Sequence, residues 1–573
     1  MKLSGAQILC ESLLKEGVEV IFGFPGGVVI PFYDTLPQYT QLRHILVRHE
    51  QGATHAADGY SRATGKIGVC LATSGPGATN LVTGIANAYL DSSPIVAITG
   101  QVARPFIGKD AFQEVDITGI TIPITKHNYL VLNTNDMARV VKESFYLART
   151  GRPGPILIDI PRDVFVEQVE FHYPEKVNLT GYKPTTGGHA AQIKKAARLI
   201  NEAKKPLIIA GRGVIISNSC EELKEMAEEA QIPVVTTLLG IGCFPESHVL
   251  SFGMLGMHGM AHANFAVSHA DLIIAVGMRF DDRATSKVSG FAPKARVIHI
   301  DIDPAEIGKN IRVDMPIVGD AKHVLQGLGK LVTRQTHIEW VKQLDTWRDE
   351  HPSTTIREGK ELIPQFVVRK IYEVTGGEAI VVTGVGQNQM WSAQHYWYNK
   401  PGKFISSGGL GTMGFELPAA LGAKVGCPNE IVWCIAGDGG FQMTLQELAT
   451  IVQEKVAVKI AIINNGYLGM VRQWQDLFYQ KRYVATPLSG PDFVKIAEAY
   501  GIAGLRVKKR SEVVPALEKA MAHKEAFLID FQVEPEENVY PMVPSGAALA
   551  DVIEDPRKQL ALSSTPTLTV SNL

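Results

Sequence analysis

Two residues with oxygen donors close two apolar runs. Asp438 sits in Gly437-Asp438-Gly439-Gly440 after Ile431, Val432 and Ile435, and Asn465 follows it by 27 residues in Asn464-Asn465, after Val458 to Ile463. β-Branched runs that stop at glycine or asparagine pairs read as buried strands ending in tight turns. Met443, Leu445, Leu448 and Ile451 between them have helical spacing. Strand, turn, helix and strand make a βαβ unit, which brings the carboxyl ends of its two strands side by side. A carboxylate and an amide there suit Mg²⁺, which completes its octahedron with phosphate oxygens and water. The glycines let an anion approach the backbone, and the free N–H groups of the helix start favour its charge. Either pair alone is an ordinary turn; the two together after apolar strands point to a metal-bridged phosphate.

A second acid holds a comparable place. Ile45-Leu46-Val47 runs into Arg48-His49-Glu50-Gln51, so Glu50 stands at the end of a strand, where α/β sheets keep their ligand crevice. On residue type alone the simpler reading is an N-cap or first-turn acid of the next helix, whose small residues are Ala53, Ala56 and Ala57. Glycine-rich turns recur at strand ends: Phe24-Pro25-Gly26-Gly27, Thr73 to Asn80, Gly384-Val385-Gly386-Gln387 and Ser406 to Gly414. Gly211-Arg212-Gly213 follows an apolar strand too, but it is not a full dinucleotide fingerprint. Asp301 and Asp320 end later strands and could take ribose hydroxyls or cap turns.

These turns require α/β layers to position them. Residues 1–165 alternate strand and helix signals from an amphipathic helix at 4–15 to the strand Ile156-Leu157-Ile158-Asp159. A polar, aperiodic linker follows to about 190. A second series occupies 190–335, a charged helical connection leads to 361, and a third series occupies 362–540. The pattern predicts three doubly wound parallel-sheet domains, with 541–573 as a tail. At 573 residues the chain is too long for a single core.

Composition narrows the partners. A formal net charge of −2 and 20% charged residues leave no basic footprint for nucleic acid. No apolar run reaches the ~18 residues of a membrane span, and Glu11 interrupts the first helix, which therefore lacks a signal-peptide core. The six cysteines are scattered without a CxxC pair, which suits reduced core residues in a cytoplasmic protein.

GDG followed at this interval by NN resembles the motif of thiamine-diphosphate enzymes. FGFPGG, VRHEQ, TSGPGATN, GRPGP, MLGMHG, GMRFDDR, GGLGTMG, GDGGFQM and GMVRQWQ together resemble the acetohydroxyacid synthase (acetolactate synthase) large-subunit family over nearly the whole chain. The glutamate and diphosphate motifs fit pyruvate oxidase or another thiamine-diphosphate carboligase equally; MLGMHG, RFDDR and GMVRQWQ narrow the match. Gly384 and Asn388 depart from an acid and a histidine common in the family.

The resemblance implies a pyrimidine-binding first domain, an FAD-binding central domain, a diphosphate- and Mg²⁺-binding third domain, and a tail acting as an active-site flap. It implies that Asp438, Asn465 and the Tyr467 carbonyl hold Mg²⁺. Pro25, Gly26, Thr73, Gly386, Gln387, Gly411, Met413, Gly437, Gly439 and Gly440 would line thiamine diphosphate. Gly211, Arg212, Gly213, Arg279, Asp301 and Asp320 would hold FAD. Glu50 would exchange a proton with the aminopyrimidine, Met413 would bend the cofactor, and Gln101 and Lys126 would line the access path. Arg283 would bind the carboxylate of the second 2-oxo acid, with Trp474 and Met257 against its alkyl group. Pyruvate and 2-oxobutanoate are the implied substrates of a homodimer or homotetramer with a small regulatory subunit.

Overall fold

The computed structural model describes residues 1–557 and resolves the chain into two compact units. The first comprises 1–185, 370–389 and 402–536; the second comprises 186–369, 390–401 and, of the described residues that follow, 537–557.

The first unit holds two six-stranded parallel sheets. One runs Arg43–Leu46, Val20–Gly23, Gly68–Ala72, Ile95–Gln101, Ile156–Pro161, His127–Leu130, and the other runs Phe404–Ser406, Ile380–Thr383, Val432–Gly437, Lys459–Asn464, Phe527–Gln532, Ala503–Val507. Numbered along the chain, each has the order 2-1-3-4-6-5, so the direction of winding reverses between its first and third strands. At such a switch point two loops diverge and leave a crevice beyond the strand ends. In one sheet those loops begin at Phe24 and Thr73, in the other at Gly384 and Asp438.

Helix Glu50–Thr64 and helix Glu416–Gly426 pack together within this unit. A Cβ on Gly59 would lie 2.1 Å from the Ala419 carbonyl oxygen, and one on Gly422 would lie 1.9 Å from that of Ala56. Small residues on both helices therefore let backbone meet backbone, and one apolar cluster joins Ala56 and Ala57 to Phe415, Ala419 and Leu448. The first helix is set by Ser4, which accepts from Gln7 N in a capping box, so it spans Gly5–Lys15.

The expected linker after 165 is not wholly irregular. Gln168–Glu170 pairs antiparallel with Lys2–Ser4, because the N-terminal segment offers free backbone groups beside it. Met443 also departs from expectation. It is 53% exposed and precedes the helix, which spans Glu447–Gln453.

The second unit holds one six-stranded parallel sheet, ordered Ser251–Met254, Val234–Thr236, Pro206–Ala210, Leu272–Val276, Arg296–Asp301, Met315–Val318. This is 3-2-1-4-5-6, the order of dinucleotide-binding sheets. Helix Ile338–Glu350 closes one face, burying Trp340 and Leu344 with Val543 and Leu549. Of the expected tail, residues 541–557 belong to this unit: Val543 N donates to Met257 O at 2.8 Å, and Met542 pairs with Ile553. Residues 558–573 lie outside the described part. Among the described residues no helix is long and apolar enough to cross a membrane.

The helix contact is open to test. Gly59→Ala gains helix propensity of up to ~1 kcal/mol, but its Cβ meets backbone that cannot turn away, and overpacking costs about 1–3 kcal/mol. The variant should melt several degrees below the parent. Gly329→Ala, whose Cβ meets nothing within 4 Å, should be neutral or stabilising in the same scan.

Candidate active site

The residues singled out from sequence fall into four groups. The first gathers at the switch point of the N-terminal sheet. Glu50 opens helix Glu50–Thr64 after the His49 cap, and its Oε2 accepts from Asn80 Nδ2 at 2.9 Å. Glu50 is thus the first-turn acid of its helix, with its carboxylate turned toward Asn80. A Cβ on Gly26 would lie 2.5 Å from the Thr73 side chain, so the Pro25-Gly26 turn and Thr73 touch. A Cβ on Gly77 would lie 2.7 Å from Thr73 Cγ2 and 3.3 Å from Glu50 Oε1. Thr73 Oγ1 is buried without a hydrogen-bond partner, which marks a polar wall lacking its partner.

The second group lies at the switch point of the other sheet in the same unit. Asp438 follows strand Val432–Gly437 and is 2% exposed. Burial pushes its carboxyl up to about 7, against the pull of the Asp438, Asn465 and Gly466 backbone N–H groups. Its Oδ2 has no partner. Asn465 Oδ1 accepts from Tyr467 N at 3.1 Å, and its Nδ2 donates to Gln387 Oε1 at 3.1 Å. Gln387 Nε2 in turn donates to Gln473 at 2.9 Å. A Cβ on Gly469 would fall 2.1 Å from Gln387 Oε1, so any larger residue there would displace that amide from Asn465. Met413 stands over Gly439, its Cε 3.6 Å from where a Cβ would be. Gly386 and Gly411 have φ of +139° and +74°, in the region that favours glycine.

These residues fit a cation and a diphosphate. A buried carboxylate oxygen without a donor is costly to keep charged, and a divalent ion there would remove the cost. Among the described residues no cluster of three or more His, Cys, Asp or Glu side chains could hold a metal. A set of one carboxylate, one amide and one carbonyl is of a different type, and relies on phosphate oxygens for the rest.

Sequence reasoning missed Glu416. It is fully buried behind this turn with both oxygens outside any hydrogen bond of ordinary geometry, and burial pushes its carboxyl up to about 7. A Cβ on Gly384 would lie 2.7 Å from its Cδ, and one on Gly440 2.5 Å from its Oε1. Gly384, noted as a departure, thus makes room for Glu416. The departure at Asn388 also has a partner: its Nδ2 donates to Ile435 O at 2.9 Å.

The third group is in the second unit. Gly211 and Gly213 press on Gly277, with Cβ positions 2.3 Å from Gly277 O and 2.6 Å from its Cα, at the switch between strands Pro206–Ala210 and Leu272–Val276. Arg212 opens the next short helix, and Arg279 approaches Asp281 at 3.7 Å. Asp320 caps helix Ala321–Gly329, and Asp301 accepts from Asp303 N at 2.9 Å. Both acids thus cap local turns, the simpler of the two readings.

Met257 and Arg283 form the fourth group, also in the second unit. Met257 N donates to Arg283 O at 2.8 Å, and Arg283 Nη1 meets Met257 Sδ at 3.3 Å. The Arg283 side chain is 63% exposed and only 3.8 Å from Asp282, so its fork is open to a carboxylate. Trp474, in the first unit on helix Gly469–Phe478, is half-buried with its ring 5.1 Å from Phe478.

Gln101 and Lys126 have other work. Gln101 is buried, donating to Val115 O at 2.8 Å and Asp159 Oδ2 at 3.0 Å while accepting from Val102 N. Lys126 Nζ donates to Leu147 O, Thr150 O and Tyr182 OH, where an ammonium satisfies the carbonyls ending helix Met137–Arg149. An access-path role for either is not what these contacts serve.

The comparisons with known proteins come to the same place. The chain matches, in order, the N-terminal TPP binding domain of thiamine pyrophosphate enzymes at residues 3–120, their central domain at 193–328 and their C-terminal TPP binding domain at 384–531. With three doubly wound sheets and switch-point loops to match, it is a thiamine-diphosphate enzyme. It is 52% identical over 561 residues to the acetolactate synthase of Mycobacterium bovis, covering 96% of this chain and 91% of that protein. It is 51% identical to the acetolactate synthase large subunit of Corynebacterium glutamicum (96% and 90% covered) and 47% identical to that of Buchnera aphidicola subsp. Schizaphis graminum (96% and 98%). The chain belongs to the acetolactate synthase large-subunit family.

Asp159, which orients Gln101 together with Thr99, gives this region a pH signature. Burial pushes its carboxyl up to about 7. Folding then takes up a proton between the unfolded value near 4 and that value, so stability is held at low pH and lost as pH rises through the window. At ~1.4 kcal/mol per unit, Asp159→Asn should remove a decline on the order of 4 kcal/mol between pH 4 and 7 in urea titrations. Parallel pH profiles for variant and parent would contradict this.

Proposed function

We propose that the chain condenses two 2-oxo acids: it decarboxylates pyruvate and joins the two-carbon unit to a second pyruvate, giving 2-acetolactate, or to 2-oxobutanoate, giving 2-aceto-2-hydroxybutyrate. This is the first common step of branched-chain amino acid biosynthesis. The observation that carries the reading is the buried, unpartnered Oδ2 of Asp438 beside Asn465 at a switch point. Family membership supports the particular reaction.

Bound thiamine diphosphate supplies a nucleophilic carbon and takes up the electron pair left by carbon dioxide. Asp438, Asn465 and the Tyr467 carbonyl would hold the Mg²⁺ of its diphosphate, with Gln387 orienting the Asn465 amide. Gly26, Thr73, Gly386, Gly437, Gly439 and Gly440 would give it backbone room, and Met413 would pack against its rings. Glu50, its carboxylate oriented by Asn80, would serve as the proton donor and acceptor for the aminopyrimidine. In the second unit the Arg283 fork, with Met257 beside it, would take the acceptor's carboxylate; Trp474, in the first unit, is proposed separately as an apolar wall for the second substrate's alkyl group. FAD would be held at the switch point of the 3-2-1-4-5-6 sheet by Gly211, Arg212, Gly213 and Arg279, with Asp301 and Asp320 at later strand ends of that sheet.

One six-stranded sheet to each of the stretches 1–165, 190–335 and 362–540 supports a division of the chain into three domains. The chain works in the cytoplasm, as a dimer or tetramer in which one cofactor spans two subunits, with a small regulatory subunit. Reduced cysteines fit that compartment: all six are free thiols, and Cys10, Cys70, Cys243 and Cys434 are buried.

Product analysis decides the reaction. Purified protein given thiamine diphosphate, Mg²⁺, FAD and pyruvate should form acetolactate and carbon dioxide; acetate or acetyl phosphate as the main product would overturn the reading. Glu50→Gln should slow C2 hydrogen–deuterium exchange of the bound cofactor by ~10²–10⁴-fold, and an unchanged rate removes Glu50 as the base. The selectivity wall needs competition between pyruvate and 2-oxobutanoate. One methylene in an apolar pocket is worth ~1–3 kcal/mol, roughly 10–200-fold, and Trp474→Leu should abolish most of that preference. A product ratio equal to the parent's would leave Trp474 as packing alone.

A further inference from the structure

We infer that Glu447 is a positioning residue for Glu50, holding the strand-to-helix turn that carries it. The inference rests on the reading of Glu50 as the base. Arg48 and His49, just before helix Glu50–Thr64, have backbone N–H groups that neither sheet nor helix satisfies in the connections around them: Val47 N reaches back to Gly23 O, and the helix ladder begins with Ala53 N on His49 O. The Glu447 carboxylate takes both. Its Oε1 accepts from Arg48 N and His49 N at 3.1 Å each, and its Oε2 from Arg48 N at 3.2 Å.

The carboxylate is itself fixed. Glu447 is fully buried, and Thr450 Oγ1 donates to its Oε2 at 2.7 Å. It lies close beneath the first turn, since a Cβ on Gly52 would be 2.5 Å from its Oε1. Two further residues on the same face of helix Glu447–Gln453 continue the seam. Thr450 Oγ1 reaches Leu46 O at 3.4 Å, and Gln453 Oε1 accepts from Arg48 Nη2 at 2.8 Å. Spacing of three residues puts 447, 450 and 453 along one helix side, so the helix stitches the chain from 46 to 49.

Glu50 is thereby held from two sides, the turn just before it by Glu447 on the Arg48 and His49 N–H groups and its carboxylate by Asn80. A base must sit within tenths of an ångström of the atom it serves, and a misplacement of ~1 Å can cost on the order of 10²-fold. A carboxylate suits this mount because it offers two acceptors and no donor to the N–H groups facing it. The amide of Glu447→Gln keeps one acceptor, enough to hold part of the turn.

The test uses Glu447→Ala, Glu447→Gln and Thr450→Val in parent and Glu50→Gln backgrounds. In protein without added cofactor, amide hydrogen exchange at Arg48 and His49 should rise in Glu447→Ala. With thiamine diphosphate and Mg²⁺ bound, C2 exchange per bound cofactor should slow ~10–100-fold, while the cofactor Kd stays within about threefold. Glu447→Gln should recover most of the rate. In the Glu50→Gln background Glu447→Ala should add little further loss, since a residue acting through Glu50 has nothing left to position. Should Glu447→Ala fail to fold, Thr450→Val carries the same comparison at smaller amplitude. Unchanged C2 exchange in Glu447→Ala, or in Thr450→Val where the alanine variant does not fold, overturns the proposal, as does an equal loss in both backgrounds, which would mark Glu447 as general scaffold. If Glu50→Gln alone leaves C2 exchange unchanged, the base reading fails and the proposal falls with it, a result distinct from a failure of Glu447 alone.

Discussion

The first unit depends on the contact between helices Glu50–Thr64 and Glu416–Gly426, where Gly59 and Gly422 each admit the other helix's carbonyl. At that approach, residues on either side reach loops belonging to the other sheet. Arg62, with its side chain 5% exposed, pairs with Asp58 at 2.7 Å and Asp91 at 2.8 Å while donating to Ser406 O at 2.6 Å. Asp91 accepts from Gly408 N and Gly409 N, and Asn87 accepts from Ser407 and Thr412 hydroxyls. The loop that carries Met413 is thus mounted on the half that carries Glu50. Glu447 returns the arrangement by mounting the Glu50 turn on the other half. Breaking a buried ion pair by removing one partner costs about 3–5 kcal/mol, so these mounts are rigid.

Topology then decides what the rigid loops can do. Two sheets of order 2-1-3-4-6-5 and one of order 3-2-1-4-5-6 reverse their winding at switch points, where such sheets leave room for a ligand beyond the strand ends. Thr73 Oγ1 beside one of them, and Asp438 Oδ2 with the Glu416 oxygens beside another, are among the buried polar atoms without a hydrogen-bond partner of ordinary geometry, and buried polar groups are normally satisfied. The oppositely disposed case is Lys126, a charge fully engaged with carbonyls and a phenol that supports helix Met137–Arg149.

Much of this was legible in the residues. The apolar runs ending at Gly437-Asp438 and Asn464-Asn465 are strands ending where the pattern placed them, because period and punctuation are local signals. Glu50 was legible as a strand-end acid, though its dual position as first-turn residue left the role open until the family motifs were joined. The mounts were not legible. Glu447 lies in a sequence that reads as an ordinary helix start, and its partners at 48 and 49 are about 400 positions away. Only the fold brings them together. Glu416 reads as the exposed acid of a helical first turn and proves fully buried, since Gly384 and Gly440 vacate the space it fills. Gln101 and Lys126 were expected at an access path, but polar residue type does not reveal which partners the fold has already assigned.

The central claim is that the Asp438 and Asn465 pair is a cation site serving a diphosphate held by this chain. Its most direct test is a calorimetric titration of the unmodified protein with thiamine diphosphate, with Mg²⁺ and with a chelator in its place. The account predicts tight, saturable binding in the presence of Mg²⁺, and a loss of affinity of at least two orders of magnitude with the chelator. Equal affinity under both conditions would contradict it.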